Sequence, residues 1–282
     1  MIIFVTIFTF STKSVPLNHD LFFRYADGCT FAVAFAKNRC AKTIKTKTIM
    51  LAGFGDSIMK GVMLRNATKE GRPEYELSKQ SIIDRCGQQL GVEVSNFARF
   101  GCTAPMGEKL VERYESRLTV GETVLIGYGG NDSDYDWEAI ADHPNDNHQP
   151  RTRMEDFVAA YRRIISRIRN AGAVPVMLSM PPMDADRYFR FFTRNLSDWH
   201  KKNILSWLGG NTAPIVSGHE LYNLALYNIA QEEQVRILDI TSGFLSERMY
   251  DSYLCDDGIH PNEAGQARLS SFIVSQLRPI AA

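Results

Sequence analysis

The chain has 282 residues, 44% of them apolar and 23% charged, which is the composition of a soluble globular protein of one or two domains and excludes a disordered, collagen-like or coiled-coil chain. Lys+Arg and Asp+Glu both number 32, so the formal charge is zero, and binding to nucleic acid through bulk charge is not expected. No run reaches the ~18 apolar residues a membrane span needs.

Charge is unevenly spread. Residues 1–48 hold seven basic side chains against two acidic ones, and the remainder carries the balancing acidic excess. The first ten residues, MIIFVTIFTF, resemble the apolar part of a secretory signal. They lack a basic segment before the run, and the only Ala-x-Ala sites, at Ala32–Ala34 and Ala34–Ala36, lie over twenty residues beyond its end. Residues 1–47 therefore read as a poorly packed extension, with an upstream start as one origin. The expected compartment is the cytoplasm, and export through an atypical signal is the alternative. The five cysteines, Cys29, Cys40, Cys86, Cys102 and Cys255, contain no CxxC pair and fit a reducing compartment better than a disulfide framework.

From residue 47 onward the pattern is regular. KTIMLAGFGD (47–56) is a short apolar strand ending in glycines. Residues 78–90 open on a capping serine and carry Ile82, Ile83, Cys86 and Leu90 at helical spacing. VEVSNFA (92–98) reads as a strand, 106–118 as a helix and ETVLIGYGG (122–130) as a buried strand. Residues 131–152, rich in Asp, Asn, His and Pro, read as a long loop. Residues 153–171 follow as an amphipathic helix with Met154, Phe157, Val158, Tyr161, Ile164, Ile165 and Ile168 on one face. AVPVMLSM (173–180) is a strand stopped by Pro181 and Pro182. Residues 184–216 read as a connection with one helix, LSDWHKKNILSWL, whose Trp199 and Trp207 are expected in the core. A helix (217–233), a strand (235–240) and a last helix (262–278) complete the chain. Strands alternate with helices five times, and each strand is a near-continuous apolar run. That pattern predicts an α/β domain over 48–282, a three-layer α/β/α sandwich with a five-stranded parallel sheet covered on both faces. Ligands of such sheets bind beyond the carboxyl ends of the strands, so the residues there matter most.

The first strand runs into Gly55-Asp56-Ser57, the third into Gly129-Gly130-Asn131-Asp132, and the fifth is followed by Asp257-Gly258-Ile259-His260-Pro261. Alone, each of these is an ordinary turn. Together and in this order they resemble the blocks of the SGNH/GDSL hydrolase family, over residues 47–278. The resemblance implies a flavodoxin-like order and a serine esterase that needs no metal or cofactor. It implies Ser57 as nucleophile, His260 as general base and acid, and Asp257 as the group orienting the imidazole, with Asp256 a competitor at the less favourable spacing. It implies an oxyanion hole from the backbone N–H groups of Ser57 and Gly101 and the side-chain amide of Asn131. The second block departs from the family's NxGxSG, since Ala98 and Phe100 replace Gly and Ser. Asp56 and Asp132 read as turn-shaping residues.

The chemistry fits these residue types. A serine hydroxyl is a weak nucleophile without an adjacent base, and Asn supplies an N–H donor that does not titrate. Other architectures are excluded by pattern: GxSxG and GxxxxGK[ST] are absent, and Gly53-Phe54-Gly55 lacks the third glycine of a dinucleotide fingerprint. His143 and His148, with Asp142 and Asp146, read as a solvated or substrate-facing loop rather than a metal site.

Tyr128, Tyr135, Trp137 and His143 follow the third strand and are candidate substrate contacts, with ordinary packing the alternative. The expected partner is a small-molecule ester. The polar segment after Asn131 favours short acyl groups on a polar alcohol such as an acetylated carbohydrate. Met183, Tyr188, Phe189, Phe191 and Phe192 could instead form an apolar lid, which would favour a lysophospholipase or thioesterase. A catalytically silent ligand-binding protein of the same fold is the non-enzymatic alternative.

Overall fold

The structure, a computed structural model, describes residues 22–24, 30–32, 50–65 and 74–277. The chain divides into two units, residues 1–46 and 47–282. In the first, β1 (Phe22–Arg24) pairs antiparallel with β2 (Thr30–Ala32), Phe22 opposite Ala32. The sequence pattern assigns no strand there, because three-residue strands are too short to show a period. The expected signal-like segment (1–10) and most of the expected extension lie outside the described residues.

The second unit begins with β3 (Leu51–Gly55), α1 (Ser57–Lys60), β4 (Val62–Arg65), β5 (Glu74–Leu77), α2 (Ile82–Leu90), β6 (Val94–Asn96) and α3 (Ala104–Tyr114). A 3₁₀ turn (Glu115–Arg117) leads to β7 (Thr123–Gly127), α4 (Gly130–Ser133), α5 (Trp137–Asp142), α6 (Met154–Asn170) and β8 (Val174–Leu178). Then come α7 (Ala185–Phe192), α8 (Asp198–Trp207), α9 (Ala213–Glu232), β9 (Arg236–Leu238), α10 (Ile240–Leu245), a second 3₁₀ turn (Tyr250–Tyr253) and α11 (Glu263–Leu277).

Five strands form one parallel sheet in the order β6-β3-β7-β8-β9, which is 2-1-3-4-5 among the sheet's own strands and is the flavodoxin-like order. Period-two alternation divides their side chains between two cores. Ala52, Phe54, Val124, Ile126 and Met177 face α3, α6 and α9, where Val111, Phe157, Ile164, Ile165, Ile168, Leu226 and Ile229 are buried. Leu51, Leu125, Val176, Leu178 and Leu238 face α2, α10 and α11, meeting Ile82, Ile83, Phe244, Leu269 and Ile273. Each such aliphatic side chain contributes about 1.5–3 kcal/mol on burial, so the apolar runs that predicted strands also hold the layers together.

The boundaries differ from expectation where side chains compete for the backbone. Helix α2 is capped by Ser81, not Ser78: Ser81 Oγ accepts the Asp84 N–H while Asp84 Oδ2 accepts the Ser81 N–H, a reciprocal capping box. The expected loop 131–152 contains α4 and α5. Asp136 caps α5 by accepting the Ala139 N–H, and Trp137, Ile140 and Ala141 bury its apolar stripe. Residues 184–216 hold two helices before α9 rather than one, each begun by a side-chain cap, Asp184 on the Arg187 N–H and Ser197 on the His200 N–H. Helices α5, α7 and α8 pack through a third cluster of Trp137, Ile140, Ile204, Leu208, Phe189, Phe192 and Trp207. Trp199, expected in the core, is 60% exposed. The β4–β5 hairpin went unread because β5 is exposed along its whole length and shows no burial alternation.

Candidate active site

Three strand-end turns converge at the carboxyl edge of the sheet. After β3, Asp56 accepts the Ile58 N–H at 2.9 Å and starts α1, which holds Ser57 in its first turn. After β9, a tight turn brings the fifth-strand segment to the same point. The Cys255 N–H donates to the His260 carbonyl at 2.7 Å, and Leu254 bridges to Pro261. Within this turn Gly258 has φ +75°, and a Cβ there would lie 2.5 Å from the Asp184 carbonyl oxygen, so only glycine fits.

The turn aligns Asp257, His260 and Ser57. His260 Nδ1 lies 2.7 Å from Asp257 Oδ2, and His260 Nε2 lies 2.9 Å from Ser57 Oγ. The other carboxylate oxygen of Asp257 accepts the backbone N–H of Ile259 at 3.1 Å and of His260 at 3.0 Å, which fixes the carboxylate's orientation. Asp257 is fully buried and Asp256 is exposed, so Asp257 is the partner of the imidazole. An acceptor carboxylate on Nδ1 leaves Nε2 free to take a hydroxyl proton, which makes this line capable of activating an alcohol.

Ser57, Gly101, Asn131 and His260 line one cleft of about 380 Å³. Gly101, at φ +66°, closes the loop after β6, whose Asn96 Oδ1 accepts the Ala98 N–H at 3.0 Å. Asn131 Nδ2 lies 3.4 Å from both Asp56 Oδ2 and the Cys102 carbonyl. Asp132 lies beneath, its two oxygens accepting the Ala104 N–H at 2.9 and 3.1 Å, and so ties the turn after β7 to the start of α3. Burial pushes the carboxyls of Asp56 and Asp132 up to about 6.

Tyr135 and Trp137 also line the cleft. Trp137 is mostly buried, and its indole N–H donates to Asp134 at 2.8 Å. Tyr128 is not a cleft residue. It continues the alternation of Val124 and Ile126, so its side chain enters the core under Gly107, and it is 1% exposed. His143 is likewise not a cleft residue. It caps the end of α5 on an exposed surface, where its carbonyl is 2.7 Å from His148 Nε2. Among the described residues, no group of three or more His, Cys, Asp or Glu could hold a metal ion. Cys86 and Cys102 are buried and unpaired, with burial pushing both thiols up to about 12, outside the range of a nucleophile at neutral pH.

Sequence reasoning missed Tyr75, Phe100, Arg151, Arg194, Ile215 and His219, all in the cleft wall. Phe100 stood out only as a departure from a motif. Tyr75 comes from the exposed hairpin, Arg151 from the segment between α5 and α6, Arg194 from the α7–α8 connection, and Ile215 and His219 from α9, none of which carries a motif. Beside the cleft is an apolar recess of about 40 Å³, lined by Met59, Tyr128, Leu178, Met180 and Ile240 and sharing Asp56, Ile58, Gly130, Pro181 and His219 with the cleft.

Residues 54–268 match the profile of the GDSL-like lipase/acylhydrolase family. No curated protein sequence matches the chain. Among solved structures, a carbohydrate acetylesterase from Sinorhizobium meliloti superposes with a TM-score of 0.55 at 13% identity, over 81% of this chain and 98% of that one. A catalytic mutant of an acetylxylan esterase from Geobacillus stearothermophilus gives 0.52 at 17% identity, over 81% and 93%. A lipase/acylhydrolase from Enterococcus faecalis gives 0.50 at 16%, over 83% and 100%. At these identities the likeness establishes a shared fold.

Proposed function

The chain belongs to the GDSL-like lipase/acylhydrolase family, and on that premise we propose that it is a serine esterase that cleaves carboxylic esters through an acyl-enzyme. The observation that carries this reading is the line from Asp257 through His260 to Ser57, at 2.7 and 2.9 Å, opening on a cleft. Ser57 Oγ attacks the ester carbonyl carbon as His260 Nε2 takes its proton. The carbonyl oxygen becomes an oxyanion held by the N–H groups of Ser57 and Gly101 and by Asn131 Nδ2. The intermediate collapses, the carbon–oxygen bond to the alcohol breaks, and His260 returns the proton to the departing alkoxide. Water then repeats the sequence on the acyl-serine, releasing the acid and restoring Ser57. Asp257 stays ionised throughout and stabilises the imidazolium.

The preferred acyl group in this reading is short, and the alcohol is a carbohydrate. Of the polar segment after Asn131, Ser133, Asp134, Tyr135 and Trp137 line the cleft and support the point, while residues 142–148 do not line it. The recess of about 40 Å³ supports it too: it has room for about three water-sized groups, enough for an acetyl methyl and far too little for a lipid chain. The acetylesterase activities named for two structures of the same fold point the same way. A second reading, a lysophospholipase or thioesterase, draws on Met183, Phe191 and Phe192 in the cleft wall. One experiment separates them: kcat/KM for p-nitrophenyl acetate, butyrate, octanoate and palmitate and for a lysophospholipid, with Ser57→Ala as control. We expect a maximum at acetate or butyrate, and loss of turnover in a Ser57→Ala protein with an unchanged circular dichroism spectrum. A maximum at octanoate or beyond selects the second reading. Retained turnover in folded Ser57→Ala removes Ser57 as nucleophile.

A further inference from the structure

The histidine that hands a proton to the departing alkoxide must lie beside it, so the side chains ringed around His260 on the cleft side border the alcohol half of the ester. Three are aromatic. The Tyr75 ring is 5.2 Å from the imidazole, centroid to centroid. The Phe100 ring lies nearly parallel to the imidazole, at 9° and 6.2 Å. The Phe191 ring stands 6.4 Å from that of Tyr75. Tyr75 and Phe100 are 41% and 53% exposed, so these rings are not spent on the core. Flat apolar faces turned toward a polar reaction centre suit the face of a sugar ring.

The fourth group is charged. The Arg194 guanidinium lies 4.1 Å from the centroid of the Phe191 ring and donates one N–H to the Phe191 carbonyl. It forms no ion pair among the described residues. The contrast is Arg151 on the same cleft, which is neutralised by Asp134 at 3.1 Å. A guanidinium has five N–H donors in a planar fork. Held over a ring, it keeps its remaining N–H groups for an acceptor, and the acceptor that matches the fork best is a carboxylate.

We propose that Tyr75, Phe100, Phe191 and Arg194 form the alcohol subsite, and that this subsite selects esters of a sugar acid, with the rings stacking on the sugar and Arg194 pairing with its carboxylate. This rests on the esterase reading above. It explains why one cleft arginine is paired internally and the other is left with donors to spare.

The test compares kcat/KM for a matched pair, an acetylated methyl glucuronide and the acetylated methyl glucoside, each normalised to ethyl acetate, whose alcohol is too small to reach the rings. We expect the wild-type protein to favour the glucuronide roughly five- to tenfold, the range of a partly exposed charge-assisted hydrogen bond. Arg194→Gln should bring that ratio near one through KM, Arg194→Lys should restore part of it, and added salt should shrink it in the wild type. Phe100→Ala should lower both sugars roughly three- to tenfold against ethyl acetate. A wild-type ratio at or below one overturns the proposal, as does a ratio unchanged in Arg194→Gln, while esterase activity itself stands. Sugars unaffected by Phe100→Ala remove the stacking half. A protein silent toward every ester, p-nitrophenyl acetate included, overturns the esterase reading and this one with it.

Discussion

Asn131 is held by two long hydrogen bonds, to Asp56 and to the Cys102 carbonyl, both at 3.4 Å. Long bonds are weak, so its amide can turn a proton toward an oxyanion at little cost when one forms. That interaction exists only in the transition state, so its loss should fall on kcat. We expect Asn131→Ala to lower kcat by ~10²–10³-fold with a smaller change in KM. Steady-state kinetics on a soluble acetate ester decide it, and a pure KM effect would make Asn131 a ground-state contact instead. At this scale the sequence was informative wherever a chemical role imposes a residue type at a fixed spacing. Ser57, Asp257 and His260, which the structure brings into one hydrogen-bonded line, were legible because each lies in a short motif that follows a strand. Arg194 and Tyr75 were not, because recognition of a ring or an anion can be built from any element that reaches the cleft. Tyr128 lines the recess but not the cleft. Proximity to a strand end along the chain does not say which face of the sheet a side chain takes, and alternation from Ile126 turns it inward.

Long elements that bury one face announce themselves in sequence, and short or exposed ones such as α5 and β5 do not. Helix α6 carries six buried apolar residues at helical spacing and was found within one residue of its true ends. The β4–β5 hairpin is half exposed and was invisible, although it delivers Tyr75 to the cleft. Helix α2 shows how capping sets a boundary that periodicity leaves loose. Ser81 is buried and also accepts from Asn96 Nδ2 at 3.0 Å, so the cap links the helix to the loop after β6 that ends at Gly101. Ser81→Ala should therefore cost about 1–2 kcal/mol of stability. Urea denaturation reads the loss, and a midpoint unchanged from wild type would mean the capping box contributes nothing net. Because Asn96 loses an acceptor in the same variant, we also expect a modest fall in kcat from a looser Gly101 loop.

At the scale of the molecule, the described residues that line the cleft all belong to the larger unit, residues 47–282. We expect a protein lacking residues 1–44 to fold and to retain esterase activity, and size-exclusion chromatography with an acetate assay checks both. An insoluble or inactive product would place part of the first segment in the working domain. Among the described residues, no helix is long and apolar enough to cross a membrane. Stability should also depend on pH through the two buried acids. Asp132 is raised from 3.8 to about 6 by burial, so the folded chain holds its proton more tightly than the unfolded chain does. Its contribution is fully present below pH ~4 and is lost as pH rises through about 6, an effect of about 2–3 kcal/mol. Asp132→Asn keeps an oxygen for the Ala104 N–H and cannot ionise, so the fall in stability between pH 4 and 6 should become shallower. Urea melts across that range measure it, and an unchanged slope would mean that Asp132 titrates alike in both states. Asp56, beside Ser57 and raised to about 6 by the same cause, acts in the same direction. The two buried carboxyls thus set the conditions of storage: the preparation should keep best in mildly acidic buffer, and its shelf life should shorten after transfer to neutral buffer.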